Sequence, residues 1–139
     1  MARLEPLIGE WRLESSLGNV PARAVFERAL GAAFVLQRLE IDLPEAPDSL
    51  CVIAADPATG GYIQHYFDSR GVVRLYAMTF DGPSWTLTRE QPDFTPLEFA
   101  QRYTGTRSPD GGSITGRWEK RFPGQGWEKD FDLNYVRVA

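Results

Sequence analysis

The chain contains one cysteine, one histidine and no long apolar run among its 139 residues. A lone Cys51 cannot close an internal disulfide, so the fold must be held by its core, and the free thiol suits a reducing compartment. Cys51 sits in the apolar run SLCVIAAD and reads as a small buried hydrophobe. Basic clusters are also missing. Fifteen Lys and Arg stand against nineteen Asp and Glu, giving a net charge of -4. Such a balance excludes the basic stripe that nucleic-acid binding requires. No segment approaches the ~20 apolar residues that cross a bilayer, so no membrane span is expected. The opening MARLEPLIGEW has no apolar core of a signal peptide, and the expected location is cytoplasmic. Nucleophile elbows, phosphate loops and metal-protease helices are absent, and the serines stand in no catalytic pattern.

Long helical periodicity is missing too. What the chain has instead is punctuation, with turn signals at Gly18-Asn19, Leu30-Gly31, Pro44 to Asp48, Pro57 to Gly61, Ser69 to Gly71, Asp81 to Pro83, Gln91 to Pro96, Ser108 to Gly112 and Pro123 to Gly126. The intervals are strand-sized and most alternate apolar with polar residues, as in an all-β sandwich or barrel. Near the N-terminus, PLIGEW allows at most a short helical turn, because Pro6 and Gly9 limit it.

The organising stretch is Ser113 to Val138, two alternating segments around the turn PGQG. Ile114, Gly116 and Trp118 share one face of the first, and Phe131, Leu133 and Tyr135 share one face of the second. The opposite side carries Arg117, Glu119 and Arg121 against Glu128, Asp130 and Asp132, so one side is a core wall and the other a solvated skin. Consecutive hairpins with no helix to cover them must close or fold on themselves to bury their apolar side, and the short, regular connections with the gain of removing both edges favour a barrel over a sandwich. The expected fold is all-β: one antiparallel up-and-down β-barrel of about ten strands, residues 1 to 139.

Gly9-Glu10-Trp11 at the first strand resembles the G-x-W signature of the calycins, the superfamily of lipocalins, fatty-acid-binding proteins and nitrobindins. TGRWEKRFPGQGWEKDFDLNYVR and HYFDSRGVVRLYAM are similar to uncharacterised bacterial lipocalin-like proteins of that group. The resemblance implies a barrel around an internal pocket that binds a small apolar or amphipathic molecule. It also implies a contact between Trp11 and Arg137 that closes one barrel end by a cation–π interaction. Nitrobindin-like relatives hold haem through a histidine near the C-terminus. The segment Lys129 to Val138 has none, so haem is disfavoured and no cofactor is expected.

Aromatics are the positive signal, with four Trp, five Tyr and eight Phe. Such rings either fill a small barrel or line a cavity whose hydroxyl and indole groups orient a ligand. Candidate ligand-binding residues are His65, Arg74, Tyr76, Met78, Trp85, Tyr103, Trp118, Phe131 and Tyr135. His65 would hang in the lumen if Ile63 and Phe67 face inward, and Arg74 would meet a carboxylate there. The leading reading is a carrier or sensor. One alternative is an isomerase- or cyclase-type enzyme with His65 or a tyrosine as proton donor. Another is a homodimer or structural barrel with a filled lumen, because Ala33 to Ile41 and Leu50 to Ala55 are apolar on both faces.

Overall fold

The alternating segments become ten strands in the computed structural model, which describes residues 1–138. They are β1 (Gly9–Ser15), β2 (Ala22–Ala29), β3 (Phe34–Ile41), β4 (Ser49–Ala55), β5 (Tyr62–Asp68), β6 (Val73–Asp81), β7 (Ser84–Arg89), β8 (Ala100–Arg107), β9 (Ser113–Arg121) and β10 (Glu128–Arg137). Each pairs antiparallel with its sequence neighbours, and β1 pairs with β10, so the sheet is a closed up-and-down barrel. Closure removes the two long edges that an open sheet would present. A 3-10 helix, Ala2–Leu7, precedes it. No helix among the described residues is long and apolar enough to cross a membrane.

The C-terminal hairpin sets the core. Trp118 stands opposite Phe131 and Ile114 opposite Tyr135, with a bulge between Lys129 and Phe131. Of the hairpin's carboxylates, Glu119, Asp130 and Asp132 lie in ion pairs, with Arg102, Lys120 and Lys129.

One half of the barrel is packed solid. Trp11, Phe26, Ile53, Met78, Trp85, Tyr103 and Ile114 are almost completely buried there. Trp85 lies 6.1 Å from the Phe26 ring centre, 5.2 Å from Tyr103 and 5.4 Å from Tyr135, in tilted and edge-on arrangements that suit aromatic quadrupoles. The Tyr103 ring lies over the cross-strand pair Gly105 and Gly116, and a Cβ added at Gly116 would stand 2.3 Å from its hydroxyl. Glycine is required there because the ring occupies the space of a side chain.

The 3-10 helix seals this end with Leu4 and Leu7, both fully buried. Trp11 Nε1 donates to the Leu7 carbonyl at 2.9 Å. Arg137 holds the same segment through its guanidinium, which donates to the carbonyls of Pro6 at 2.5 Å and Ile8 at 2.9 Å. Its carbon lies 4.2 Å from the centre of the Trp11 ring.

At the other end β1 and β2 separate. They pair only from Gly9–Phe26 to Arg12–Arg23, after which Leu13 to Ser15 pair with β10 alone. The 90–99 loop, which joins β7 to β8, is pinned over the same end. Arg89 points inward and donates from Nε to Asp93 Oδ2 at 2.8 Å, and from one terminal nitrogen to Asp93 Oδ1 and the Thr95 carbonyl. Asp93 also accepts the Leu75 backbone N–H, and the Thr95 hydroxyl donates to the Val73 carbonyl. Side chains of the loop thus satisfy β6 where β7 has already ended.

Both faces of β3 and β4 are apolar, as the sequence shows, and the structure supplies the reason. Outward residues of β3 to β6 form a continuous band, with Leu36, Val52, His65 and Leu75 in one cross-strand row and Leu50, Phe67 and Val73 in the next.

Candidate functional site

The half of the lumen that the rings leave unfilled is a cavity of about 480 Å³. That volume lies within the range of small-molecule sites. Its inner boundary is made by Tyr135 and Trp118, which pack on Tyr103 at 6.3 and 5.4 Å between ring centres. Its mouth carries Leu17 and Leu43 from the loops after β1 and β3, both exposed. A larger cleft of about 750 Å³ lies on the outer flank where β1 and β2 part, among Arg12, Glu14, Arg23, Glu40, Asp42 and Asp48. The cleft is the more open of the two. The luminal cavity is the better candidate because it is deeper, more apolar and bounded by the core.

The cavity has two chemically different walls. Leu13 of β1, Ala22 of β2, Leu39 and Ile41 of β3, and Phe131 and Leu133 of β10 make the apolar one, interrupted by the buried Gln37 of β3. Across the ring of strands, β5, β6 and β8 contribute Gln64, Tyr66, Arg74, Tyr76 and Gln101. The Tyr76 hydroxyl donates to Gln101 Oε1 at 3.2 Å, and Tyr66 donates to Asp68 at 2.9 Å. Tyr66 and Tyr76 meet edge-on, and the Arg74 guanidinium carbon lies 5.9 Å from the Tyr66 ring centre.

Burial governs the titratable groups here. It pushes the Tyr66 hydroxyl up, and the bond to Asp68 adds to the effect. It raises Tyr76 as well, against the opposing pull of Arg74, and raises Tyr135 against a Gln37 contact. The Cys51 thiol is pushed up to about 12 by burial alone. These groups are therefore neutral at neutral pH, and of the residues lining the cavity Arg74 alone carries a formal charge. Asp68 lies behind Tyr66. Burial opposes its ionisation, but bonds from Arg70, Tyr66 and the backbone N–H groups of Arg70 and Val72 prevail and hold it at about 2.

The expected site residues divide three ways. Arg74, Tyr76, Trp118, Phe131 and Tyr135 line the cavity. Met78, Trp85 and Tyr103 point inward but belong to the packed half, where neighbouring rings leave no space beside them. His65 is corrected to the outer face. Tyr62, Gln64 and Tyr66 take the inner positions of β5, and His65 stands between Val52 and Leu75 in the outer band. Strand alternation told which residues share a face but not which face is inside, because both carry aromatic and apolar groups.

An enzymatic reading that depends on His65 loses its proton donor, and the lumen offers no imidazole to a haem iron. Among the described residues no group of three His, Cys, Asp or Glu side chains could hold a metal ion. The filled-lumen alternative is corrected as well, since only half the barrel is plugged. Sequence reasoning did not single out Gln37, Gln64 and Gln101. Their inward parity was the available signal, because Gln64 alternates with Tyr62 and Tyr66 and Gln101 with Tyr103.

No protein-family model matches the chain, and no curated protein matches it. Solved structures do. The crystal structure of Rv2717c from M. tuberculosis superposes with a TM-score of 0.64 over 99% of this chain and 96% of that one, at 15% sequence identity. The likeness is one of fold. At that identity it supports the closed ten-stranded barrel and carries no residue role across.

Proposed function

We propose that this protein binds a small amphipathic molecule in the open half of its barrel, as a cytoplasmic carrier or sensor of the calycin kind. The carrying observation is the luminal cavity of about 480 Å³ with a wall on β1, β2, β3 and β10 that is apolar apart from Gln37, facing a polar wall on β5, β6 and β8. A packed barrel needs no such division, and water alone needs no apolar wall. The neutral phenols and thiol supply recognition rather than a ready acid or base.

Freshly purified protein is expected to bind N-phenyl-1-naphthylamine, a neutral fluorescent probe, and to retain a small molecule under native mass spectrometry. Ala22→Phe, which fills the apolar wall, is expected to weaken probe binding at least about tenfold, since the ring takes the probe's place. A wild-type chain that binds no probe and carries no mass would sink the reading. So would a plugged variant that binds as well as the parent.

The outer band favours a second property, self-association. Leu50 and Val73 flank Phe67, which is 37% exposed, with Leu36, Val52 and Leu75 in the adjoining row, and apolar surface of this kind marks contact sites. A second copy of the chain is the proposed occupant, and sedimentation equilibrium of Phe67→Lys beside the parent decides it.

A further inference from the structure

Three buried side-chain atoms have no hydrogen-bond partner among the described residues: Gln64 Oε1, Arg74 Nε and Trp85 Nε1. Trp85 belongs to the packed half. The other two residues line the cavity from adjacent strands, and Gln64 is only 4% exposed. An unpaired buried polar atom carries the desolvation cost of the bond it does not make. Two of them at one wall of one cavity mark a place where a partner belongs.

The other inward-reaching arginines show what is missing. Arg89 has the Asp93 carboxylate, and Arg137 has the Trp11 ring and three backbone carbonyls, those of Pro6, Ile8 and Gly111. Arg74 has the Tyr66 ring at 5.9 Å and the Tyr76 phenol beside it, but no carboxylate, and it borders the cavity. None of the residues lining that cavity is Asp or Glu, so its guanidinium faces no counter-charge there. The nearby phenolic protons are committed, Tyr66 to Asp68 and Tyr76 to Gln101. The fully buried unpaired atoms of this wall are therefore a guanidinium N–H of Arg74 and one end of the Gln64 amide. Rotating the Gln64 amide by 180° presents its N–H2 where Oε1 now stands.

We infer that the polar end of the luminal ligand is a single carboxylate, received by Arg74 with the Gln64 amide as a second donor, on an otherwise apolar body. This rests on the luminal-binding reading above and adds the ligand's charge and head group. A planar carboxylate offers two oxygens to two planar donors, and guanidinium–carboxylate bonds are strengthened by charge and by the low dielectric of a buried wall. One cation without a second Arg or Lys on the lining favours one negative charge over two. The apolar body then lies against Leu13, Leu39 and Leu133 on the far side.

The test is displacement of N-phenyl-1-naphthylamine by decanoate, 1-decanol and decyl phosphate. Hydrophobicity alone ranks decanol above decanoate. The inference expects the reverse, with decanoate at least about tenfold tighter, as charge-assisted hydrogen bonds imply. Arg74→Met, which keeps the bulk and removes the charge, is expected to abolish that preference while decanol and the probe change less than about twofold. Arg74→Lys keeps the charge without the fork and is expected to fall between them. Decanol binding as tightly as decanoate in the parent, or an equal loss of all competitors in Arg74→Met, would overturn the carboxylate while leaving luminal binding intact. Tighter binding of decyl phosphate than of decanoate would overturn the single-charge assignment. Failure of the probe itself to bind the parent would remove the luminal reading and the inference together.

Discussion

Asp93→Ala is expected to lower the free energy of unfolding by about 3–5 kcal/mol, the cost of stranding one member of a buried ion pair. The side chains of Arg89 and Asp93 are 4% and 3% exposed, so solvent cannot take over when the carboxylate is removed. The loss extends beyond the pair. Asp93 also accepts the backbone N–H groups of Leu75 and Thr95, so its removal frees the 90–99 loop from the start of β6. Urea unfolding of the parent and variant measures the difference, and a shift below about 1 kcal/mol would mean that the network is no stronger than a surface pair.

The same residue predicts an acid limb. Bonds from Arg89 hold the Asp93 carboxyl well below its usual range, against the opposing effect of burial, and Asp68 is held at about 2. Groups whose folded pKa is depressed contribute stability that is fully present above the unfolded pKa, about 4 for Asp, and is lost as pH falls toward the folded value. The parent is therefore expected to lose stability progressively from about pH 4 down to about pH 2, and Asp93→Ala to show a shallower decline over that range.

Trp11→Ala is the second large effect, expected at about 3–5 kcal/mol for truncation of a fully buried indole. Trp11 joins three things at the sealed end: the Leu7 carbonyl of the 3-10 helix, the Tyr135 ring at 6.3 Å and the Arg137 guanidinium. Because β1 pairs with β10 through Trp11 and Arg137, the contact sits on the seam that closes the barrel. A double-mutant cycle with Arg137→Met is expected to return a coupling of about 0.5–2 kcal/mol, the range for a stacked cation on an indole. Zero coupling would reduce Arg137 to its backbone bonds.

Much of this architecture can be read from the chain. The spacing of turn signals yields the strand count, and the faces of Ser113 to Val138 put Trp118 and Phe131 on one side, where the barrel sets them opposite each other. The candidate site is less legible. Arg74 and Tyr76 share a face in the sequence, and alternation places Tyr135 beside Leu133, so a polar and an apolar wall are each visible locally. That the two oppose one another follows only from the position of β5 and β6 across the ring from β1 and β10. His65 shows the other failure, because it lies on a strand whose two faces are almost equally apolar.

Alternating apolarity, short turns and the want of any covering helix determined by themselves that this chain is an antiparallel all-β domain whose sheet closes or folds on itself, since strands with one greasy side must bury it against one another. Tertiary structure alone decided where the filling stops. Met78, Trp85 and Tyr103 obey the same alternation as Tyr76, Trp118 and Tyr135, yet they meet rings from several strands at once while the others border open space. Whether a side chain touches protein or a void depends on neighbours distant in sequence, and a local pattern does not record them.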